Sequence, residues 1–283
     1  MRHKSFSQIL ILVCCALAIS VCGQTKQQTG TKKSGTTKSA PAQNLPPALE
    51  PKAIELLKAT SEKISSARVV SFTAVELIES LSRQAVPLGY TTKYEVSLQR
   101  PNKLRVTIPA DGPASDFYYD GKTMTAVEPH ANLIAVADAP STIDATLEKA
   151  YKQASIYFPF TDLIVANPYG DLAPSLRHAY YIGQSNVVGG TATDMVAYEG
   201  DDVFVQMWIG VDDKLPRMVR AVYVNDPDML RHEMTFSDWK LDESVPADAF
   251  RPNVANARTI PFANPNPEQA AKAKVAKPAT KTQ

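Results

Sequence analysis

Few side chains in this chain of 283 residues have the types and spacing that catalysis or metal binding requires. His232 and Glu233 begin a His-Glu-x-x-His zinc-binding pattern, but no second histidine follows at the required position. Ser185 follows Gly183 as in a nucleophile elbow, yet the second glycine of that motif is missing. The sequence therefore indicates neither a zinc hydrolase nor a serine hydrolase of these two kinds.

The other titratable residues have the distribution of surface and turn positions. The remaining histidines, His3, His130 and His178, are far apart in the chain. The acidic pair Asp212 and Asp213 lacks the Asp-x-Asp-x-Asp-Gly spacing of a calcium loop. The sequence has no glycine-rich phosphate loop and no dinucleotide fingerprint. We therefore expect no catalytic residue, no metal site and no cofactor, and a protein that is not an enzyme.

The N-terminal sequence predicts export. Arg2 and Lys4 precede an apolar run, Ile9–Val21, that is short for a membrane-spanning helix. A basic start followed by such a run is typical of a secretory signal peptide, which we place at residues 1–23. The expected location is then the periplasm, and a retained membrane anchor is the alternative.

All three cysteines of the chain lie in this leader, at Cys14, Cys15 and Cys22. Cleavage after Gly23 would leave a mature protein without disulfides or thiolate metal ligands. Lipidation of Cys22 is the alternative, because a flexible segment follows it as in bacterial lipoproteins. The preceding residue, Val21, is larger than the small residue that lipoprotein signals prefer. Both fates stay open here, and under the second one the protein is anchored through a lipid.

Charge is distributed unevenly, although the net charge of the chain is only +1. Residues 1–48 contain six Lys or Arg and no Asp or Glu, and residues 251–283 contain six Lys or Arg and one Glu. The body between them holds 18 basic and 28 acidic residues. An acidic body argues against nucleic-acid binding, which needs Lys and Arg to neutralise phosphates. The basic tails are either solubilising spacers or peripheral contacts with an anionic membrane surface.

Composition divides the chain at nearly the same positions. Polar residues, Lys and Pro dominate residues 24–48, and Pro, Ala and Lys dominate the C-terminal part. Such segments bury too little apolar surface to offset chain entropy. We therefore predict a disordered basic linker at 24–48, one folded domain at 49–252 and a disordered basic tail at 253–283.

The body has the hydrophobic pattern of an antiparallel sheet with few helices. Leu104, Val106 and Ile108 alternate with polar residues, which is typical of a strand with one apolar face. Asp120-Gly121 predicts a tight hairpin turn, since glycine accepts the positive φ that such turns need. The expected helices are at 51–67, from Pro140 onward and at 158–164, the last ending near Asn167-Pro168. The expected strands are at 69–80, 90–99, 179–188, 191–198, 204–209, 217–224 and 231–241, besides a meander over 100–140. This order lacks βαβ alternation and predicts an α+β fold with helices against one face of the sheet.

Several stretches resemble one bacterial protein family. They include RPNKLRV (100–106), FYYDGKTM (117–124) and LPRMVRAVY (215–223), and their order and spacing together are more specific than any one of them. The body is similar to the predicted periplasmic proteins called domain of unknown function 2092, which in turn are similar in pattern to the lipoprotein carrier LolA and its receptor LolB.

The resemblance implies a curved antiparallel sheet, an incomplete β-barrel of the LolA-like type. Helices would cover its concave face, around an apolar hollow for acyl chains. The long tails and the acidic body depart from the carriers. Their functional arginine has no counterpart that we can assign here, so no binding residue is transferred from the family.

The segment from Ile143 to Leu163 lies between two groups of strands and is predicted to cover the concave face. Its apolar residues exceed what a surface helix pair needs, and residues of the first strands would face them. The predicted ligand-lining residues are Tyr94, Val96, Leu104, Val106, Phe117, Tyr119, Leu147, Tyr151, Phe158, Phe160 and Leu163. The alternative is a cover packed permanently onto a filled core.

Two functions are compatible with these features. The first is a non-enzymatic carrier or receptor in the cell envelope, whose ligand is a lipid or the acyl chain of a lipoprotein. The second is an envelope domain with a filled core that binds a protein partner through its sheet. A cavity above about 300 Å³, the low end for ligand sites, favours the first function.

Overall fold

The computed structural model of the chain describes residues 48–109, 114–246 and 248–263. The predicted signal peptide, Cys22 and the tail from residue 264 onward lie outside the described residues, as does nearly all of the predicted linker. None of the described helices is long and apolar enough to cross a membrane.

Twelve strands of the described residues form one mostly antiparallel sheet. The strands are β1 (Val69–Leu81), β2 (Pro87–Gln99), β3 (Lys103–Ile108), β4 (Ser115–Tyr119), β5 (Thr123–Glu128), β6 (Leu133–Asp138), β7 (His178–Ser185), β8 (Thr193–Glu199), β9 (Val203–Gly210), β10 (Pro216–Tyr223), β11 (Arg231–Leu241) and β12 (Arg258–Ile260). Their order across the sheet is β12-β6-β5-β4-β3-β2-β1-β11-β10-β9-β8-β7, with β12 and β6 parallel. Because β7 and β12 are the two ends of this order and do not pair with each other, the curved sheet stays open. The predicted α+β fold with an incomplete barrel is confirmed.

Alternation of side chains along the strands builds the apolar concave face. In β1, Val70, Phe72 and Ala74 are buried, whereas Val75 is 40% exposed. Successive side chains of a strand point to opposite faces, so the residues that alternate inward share the core. Glu76 occupies the next inward position of this strand and is also buried.

The hairpin of β1 and β2 is longer than the sheet around it. Both strands have 13 residues, whereas β3 pairs with β2 only from Glu95 to Gln99 within the described residues. On the other side, β11 pairs with β1 as far as Ile78. The end of the hairpin therefore projects beyond its neighbours, and its apolar residues Leu81 and Val86 are exposed.

Four helices accompany the sheet in the described part of the chain: α1 (Pro51–Ser66), α2 (Ile143–Ala154), α3 (Thr161–Ile164) and α4 (Pro168–Leu172). The first begins at Pro51, which suits this position because its missing N–H would have no intrahelical partner. Ala53, Leu56 and Leu57 form its buried face and pack against side chains of β7, β8 and β9. The helix matches its predicted range to within one residue.

The helix predicted over 158–164 is shorter than expected. Only α3, a single turn, is helical there, because Pro159 disfavours the helical conformation at Phe158. The expected helix end at Asn167-Pro168 is instead the start of α4. The Asn167 side chain caps that helix by accepting a hydrogen bond from the Gly170 backbone N–H at 3.0 Å.

The fold continues past residue 252, where the sequence analysis ended the domain. β12 pairs in parallel with β6, and Phe262 is only 6% exposed within the core. A strand of three residues in a Pro- and Asn-rich segment has no periodic signal, which explains why composition placed these residues in the tail.

Gly121→Val should destabilise the fold, whereas Gly89→Val should not. Gly121 has a φ of +96° in the β4–β5 turn, and a β-carbon there would lie 2.7 Å from Asn102 Nδ2. A β-branched residue disfavours this backbone region, so we expect the free energy of unfolding to fall by more than about 1 kcal/mol. Gly89 has no positive φ, and its β-carbon would meet only the Leu77 side chain at 3.6 Å.

Urea unfolding of both variants tests this prediction. The midpoint should fall for Gly121→Val and stay near the wild-type value for Gly89→Val. An unchanged midpoint for Gly121→Val would contradict the predicted turn.

Candidate functional site

The concave face is covered in two parts. α2 and the segment that follows it pack on β1 to β6 and β11, and α1 packs on β7 to β9. Two separate clusters of buried apolar residues result. The space between the two covers is therefore the place where a hollow can form.

Most of the predicted ligand-lining residues belong to the first of these clusters. They are Tyr94, Val96, Leu104, Val106, Phe117, Tyr119, Leu147, Phe158 and Phe160. The Phe158 and Phe160 rings stack with centroids 5.7 Å apart, and Phe117 meets Phe158 edge-on at 5.5 Å. These side chains fill the space under α2 with one another, so this half of the concave face is a packed core.

A cavity of about 650 Å³ lies between α1, α3, α4 and the strands β1 and β9 to β11. Two of the predicted lining residues, Tyr94 and Leu163, border it. Tyr151 lies beside it, with its ring 6.4 Å from that of the lining residue Tyr157. The volume is in the range of about 300–1,000 Å³ that is typical of small-molecule sites. This cavity lies under α1, α3 and α4, whereas the space under α2, where most of the predicted lining residues lie, is filled.

Apolar side chains form most of the cavity wall. They come from α1, from β9 and β10, and from β11: Leu57, Ile64, Val205, Met207, Val219 and Met234. Each occupies an inward position of its element, so the wall continues the alternation that built the core. Such a wall can take up an alkyl chain by burial alone.

A carboxyl group is buried in this apolar wall. Glu76 is 5% exposed, and its Oε2 accepts a hydrogen bond from the Tyr94 hydroxyl at 2.8 Å. Burial raises the pKa of the Glu76 carboxyl, and the hydrogen bond from Tyr94 offsets part of this rise. The pKa of Tyr94 is itself raised, by burial first and then by the nearby Glu76 carboxylate. Tyr94 therefore keeps its proton and stays a hydrogen-bond donor to Glu76.

Two further polar rings line the cavity near Glu76. His232, on β11, meets the Tyr223 ring edge-on with centroids 5.4 Å apart. Burial lowers the pKa of His232, which favours a neutral imidazole. Tyr157 is 51% exposed and Tyr223 is 38% exposed, so both mark the open side of the cavity.

One polar atom in the wall lacks a partner. Thr60 lies on α1 and is 3% exposed, and its Oγ1 has no hydrogen-bond partner among the described residues. Its neighbour Ser61 is different, because its Oγ accepts a hydrogen bond from the Tyr169 backbone N–H at 2.9 Å. A buried hydroxyl without a partner is costly in a native fold, which makes Thr60 a candidate contact for a ligand.

The sequence analysis did not single out Thr60, Glu76 or Tyr223, and it considered His232 only as part of an incomplete zinc-binding pattern. Glu76 carries a signal that could have found it, since it follows Val70, Phe72 and Ala74 at the period of a buried face. A charged residue at such a position is rare unless it has a partner or a role. Thr60 and Tyr223 carry no comparable signal, because the cavity that they border depends on packing between distant elements.

Comparisons with known proteins agree with a cell-envelope setting. A family model described as "Predicted periplasmic protein (DUF2092)" matches residues 53–263. No curated protein matches the chain.

Solved structures that match part of the chain include two of MucB and one LolA-type protein. A crystal structure of MucB has 14% identity and a TM-score of 0.43, covering 71% of this chain and 63% of that one. The Pseudomonas aeruginosa MucA/MucB complex has 15% identity and a TM-score of 0.42, covering 74% and 64%. A LolA superfamily protein from Nitrosomonas europaea has 12% identity and a TM-score of 0.32, covering 71% and 98%. The match thus spans less than two thirds of the MucB chain.

Glu76→Gln should stabilise the fold at neutral pH. The pKa of Glu76 is raised above its ordinary value of 4.5, so between the unfolded and the folded pKa the folded state holds a proton that the unfolded state has released. Stability is therefore lost as the pH rises from about 4.5 through the raised pKa. Glutamine keeps a hydrogen-bond acceptor for Tyr94 and carries no charge, so the variant escapes this loss.

Thermal unfolding across a pH series checks this expectation. The variant and the wild type should melt together near pH 4, and the variant should melt higher at pH 7.5. Glu55→Gln, which removes an exposed carboxyl from α1, is the matched control and should show no such divergence. A wild-type protein that is more stable than Glu76→Gln at pH 7.5 would contradict the assigned cause.

Proposed function

The chain belongs to the family of predicted periplasmic proteins DUF2092, and we propose that it is a non-enzymatic carrier or receptor for a lipidic ligand in the cell envelope. The ligand is an alkyl or acyl chain held in the cavity between α1, α3, α4 and the sheet. The observation that carries the proposal is this cavity of about 650 Å³ with a mostly apolar wall.

The energetics favour an elongated apolar ligand. Each methylene group moved from water into an apolar site contributes about 0.8 kcal/mol, so a long acyl chain gains on the order of 10 kcal/mol before the costs of association. A hollow lined by Leu57, Val205 and Met207 offers this burial without requiring any other residue to leave the core. The strength of binding therefore rises with chain length until the cavity is full.

The elements above the cavity suit entry and release. α3 has four residues and α4 has five, and helices this short have little stability of their own. Their position depends on packing, for example on the hydrogen bond from Tyr169 to Ser61 on α1. In this proposal α3 and α4 move to admit the ligand, whereas α2 stays on its packed core.

A second candidate function rests on a different part of the molecule. The projecting β1–β2 hairpin exposes Leu81, Val86, Leu88 and Tyr90, the last with 60% of its surface accessible. Clustered exposed apolar residues are typical of surfaces that bind other proteins. This favours an envelope protein as a partner, with the hairpin as the point of contact.

Ala221→Trp should block ligand binding and leave the fold intact. Ala221 is a half-buried cavity residue on β10, so an indole there projects into open space. We expect saturable binding of the neutral fluorescent probe N-phenyl-1-naphthylamine by the wild type. Binding by the variant should be weaker by about tenfold or more, because the indole occupies space in which the probe would otherwise bury apolar surface equal to that of several methylene groups.

Leu104→Trp is the matched control. Leu104 is 0% exposed in the packed core, so overpacking should cost about 1–3 kcal/mol of stability while the folded protein still binds the probe. Wild-type protein without saturable probe binding would eliminate the carrier proposal and leave the protein-partner function. Equal binding by Ala221→Trp and the wild type would place the probe outside this cavity.

A further inference from the structure

The charged groups that border the cavity are of one sign. Its lining includes the acidic residues Glu76, Asp162 and Asp171, and within the described part of the chain it includes neither lysine nor arginine. Glu233 also belongs to the lining, but it alternates with the inward His232 and Met234 and pairs across the strands with Arg220. His232 adds no offsetting charge near neutral pH, because burial lowers its pKa. The charged side chains of the lining are thus acidic, and the nearby Lys58 ammonium lies over the ring of Tyr169 rather than beside Glu76.

The acidic side chains occupy different depths of the cavity. Glu76 is buried in the wall, whereas Asp162 and Asp171 are exposed at the border of the cavity. In the sheet, Glu76 pairs with Met234, two residues from His232, whose ring meets that of Tyr223. The charges of Glu76 and Asp162 also act on Tyr157 and Tyr223. We call this part of the lining, defined by Glu76, Asp162, Tyr157 and Tyr223, the acidic end.

Aromatic rings surround the same charges. Tyr94, Tyr157, Tyr198 and Tyr223 all line the cavity. The face of an aromatic ring attracts a cation, and rings combined with carboxylates are a recurring way to hold an ammonium group. One further lining ring, Tyr169, already has an ammonium over it, since Lys58 Nζ lies 5.3 Å from its centroid. Anions gain nothing from such faces.

Thr60 is an independent sign that a ligand has a polar group inside the cavity. Thr60 is one of the residues that line the cavity, and its buried Oγ1 has no partner among the described residues. A purely hydrocarbon ligand would leave this hydroxyl unpaired. A ligand with a hydrogen-bonding group next to its chain would satisfy it.

We propose that the cavity selects amphiphiles with a cationic ammonium head group and rejects anionic ones of the same chain length. The inference rests on the proposed function, because it names the ligand class of the same site. The alkyl chain lies along the apolar wall of α1 and β9. The ammonium group lies at the acidic end, against the Glu76 carboxylate and the tyrosine rings.

The alternative of a fatty-acid ligand meets a physical obstacle. Its carboxylate would lie close to Glu76 or Asp162, and no basic side chain among the described lining residues would compensate the repulsion. Like charges at short range in a site of low polarity repel strongly. A neutral amphiphile is not repelled by these carboxylates, and it also lacks the attraction that a cation gains from them.

A matched set of twelve-carbon ligands tests the inference. The ligands are dodecylammonium, which is charged at pH 7.5 and donates hydrogen bonds, dodecanol and dodecanoate, each below its aggregation concentration, and each displaces N-phenyl-1-naphthylamine from the full chain at pH 7.5. We expect the cation to bind about tenfold or more tighter than dodecanoate, with dodecanol between them. Because all three share one chain length, the differences report the head group alone.

Two variants test whether the preference for the cation depends on Glu76. Glu76→Gln should lower the ratio of cation affinity to alcohol affinity by about tenfold, the size expected for losing one desolvated charge partner. Glu55→Gln removes one exposed negative charge from α1, outside the cavity lining, and should leave this ratio unchanged. A ratio that falls equally in both variants would show general charge attraction and would overturn the assignment to Glu76.

The outcomes separate the inference from the function on which it rests. If dodecanol binds but dodecanoate binds as tightly as the cation, the head-group selectivity is wrong and the lipidic cavity stands. If none of the three ligands displaces the probe, both fail.

Discussion

The structure depends on how an apolar concave sheet is covered. Twelve strands of the described residues present one continuous inner face, and exposing it to water would cost far more than a domain's net stability. α2 and the Phe158–Phe160 segment fill one half with interlocking rings. Over the other half lie α1 and two helices of four and five residues, which leave space beneath them. The cavity is thus a consequence of too little helix for the width of the sheet.

Glu76 is a single side chain whose burial in the apolar concave face lowers the stability of the fold. A buried carboxyl weakens the fold, and the single hydrogen bond from Tyr94 offsets only part of that cost. Residues that lower stability in this way are expected where activity requires them. The unpartnered hydroxyl of Thr60 in the same cavity has the same character. Two unfavourable groups facing one hollow are more consistent with a site than with a core.

Much of the fold is encoded locally and could be predicted from the sequence. The alternation of Leu104 and Val106 correctly predicted strand β3. Asp120-Gly121 correctly predicted the β4–β5 turn, where Gly121 has a φ of +96°. Capping chemistry was harder, because the Asn167-Pro168 pair is compatible with both the end and the start of a helix. A three-residue strand such as β12 is too short to show any period.

The position of the cavity was less predictable for a different reason. Periodicity identifies which residues face inward, but it does not say which inward residues meet one another. Leu104 and Met207 have similar patterns, yet the first is packed among rings and the second borders the cavity. That difference arises from the relative lengths of α2, α3 and α4, which act across the whole fold. Tyr94 was predicted from its inward position on a strand and Leu163 from its place in the covering segment, and both border the observed cavity.

The long β1–β2 hairpin has a consequence for how copies of this chain behave when they are crowded together. Beyond Glu95, toward the hairpin end, the outer side of β2 offers backbone N–H and C=O groups that no described strand takes up. Such an edge is a template on which a foreign strand can polymerise. The chain carries two known deterrents there: Pro87 lacks an N–H, and the Lys93 ammonium beside Glu95 keeps charge on the edge. The projection that exposes apolar surface is thereby guarded against self-assembly into fibres.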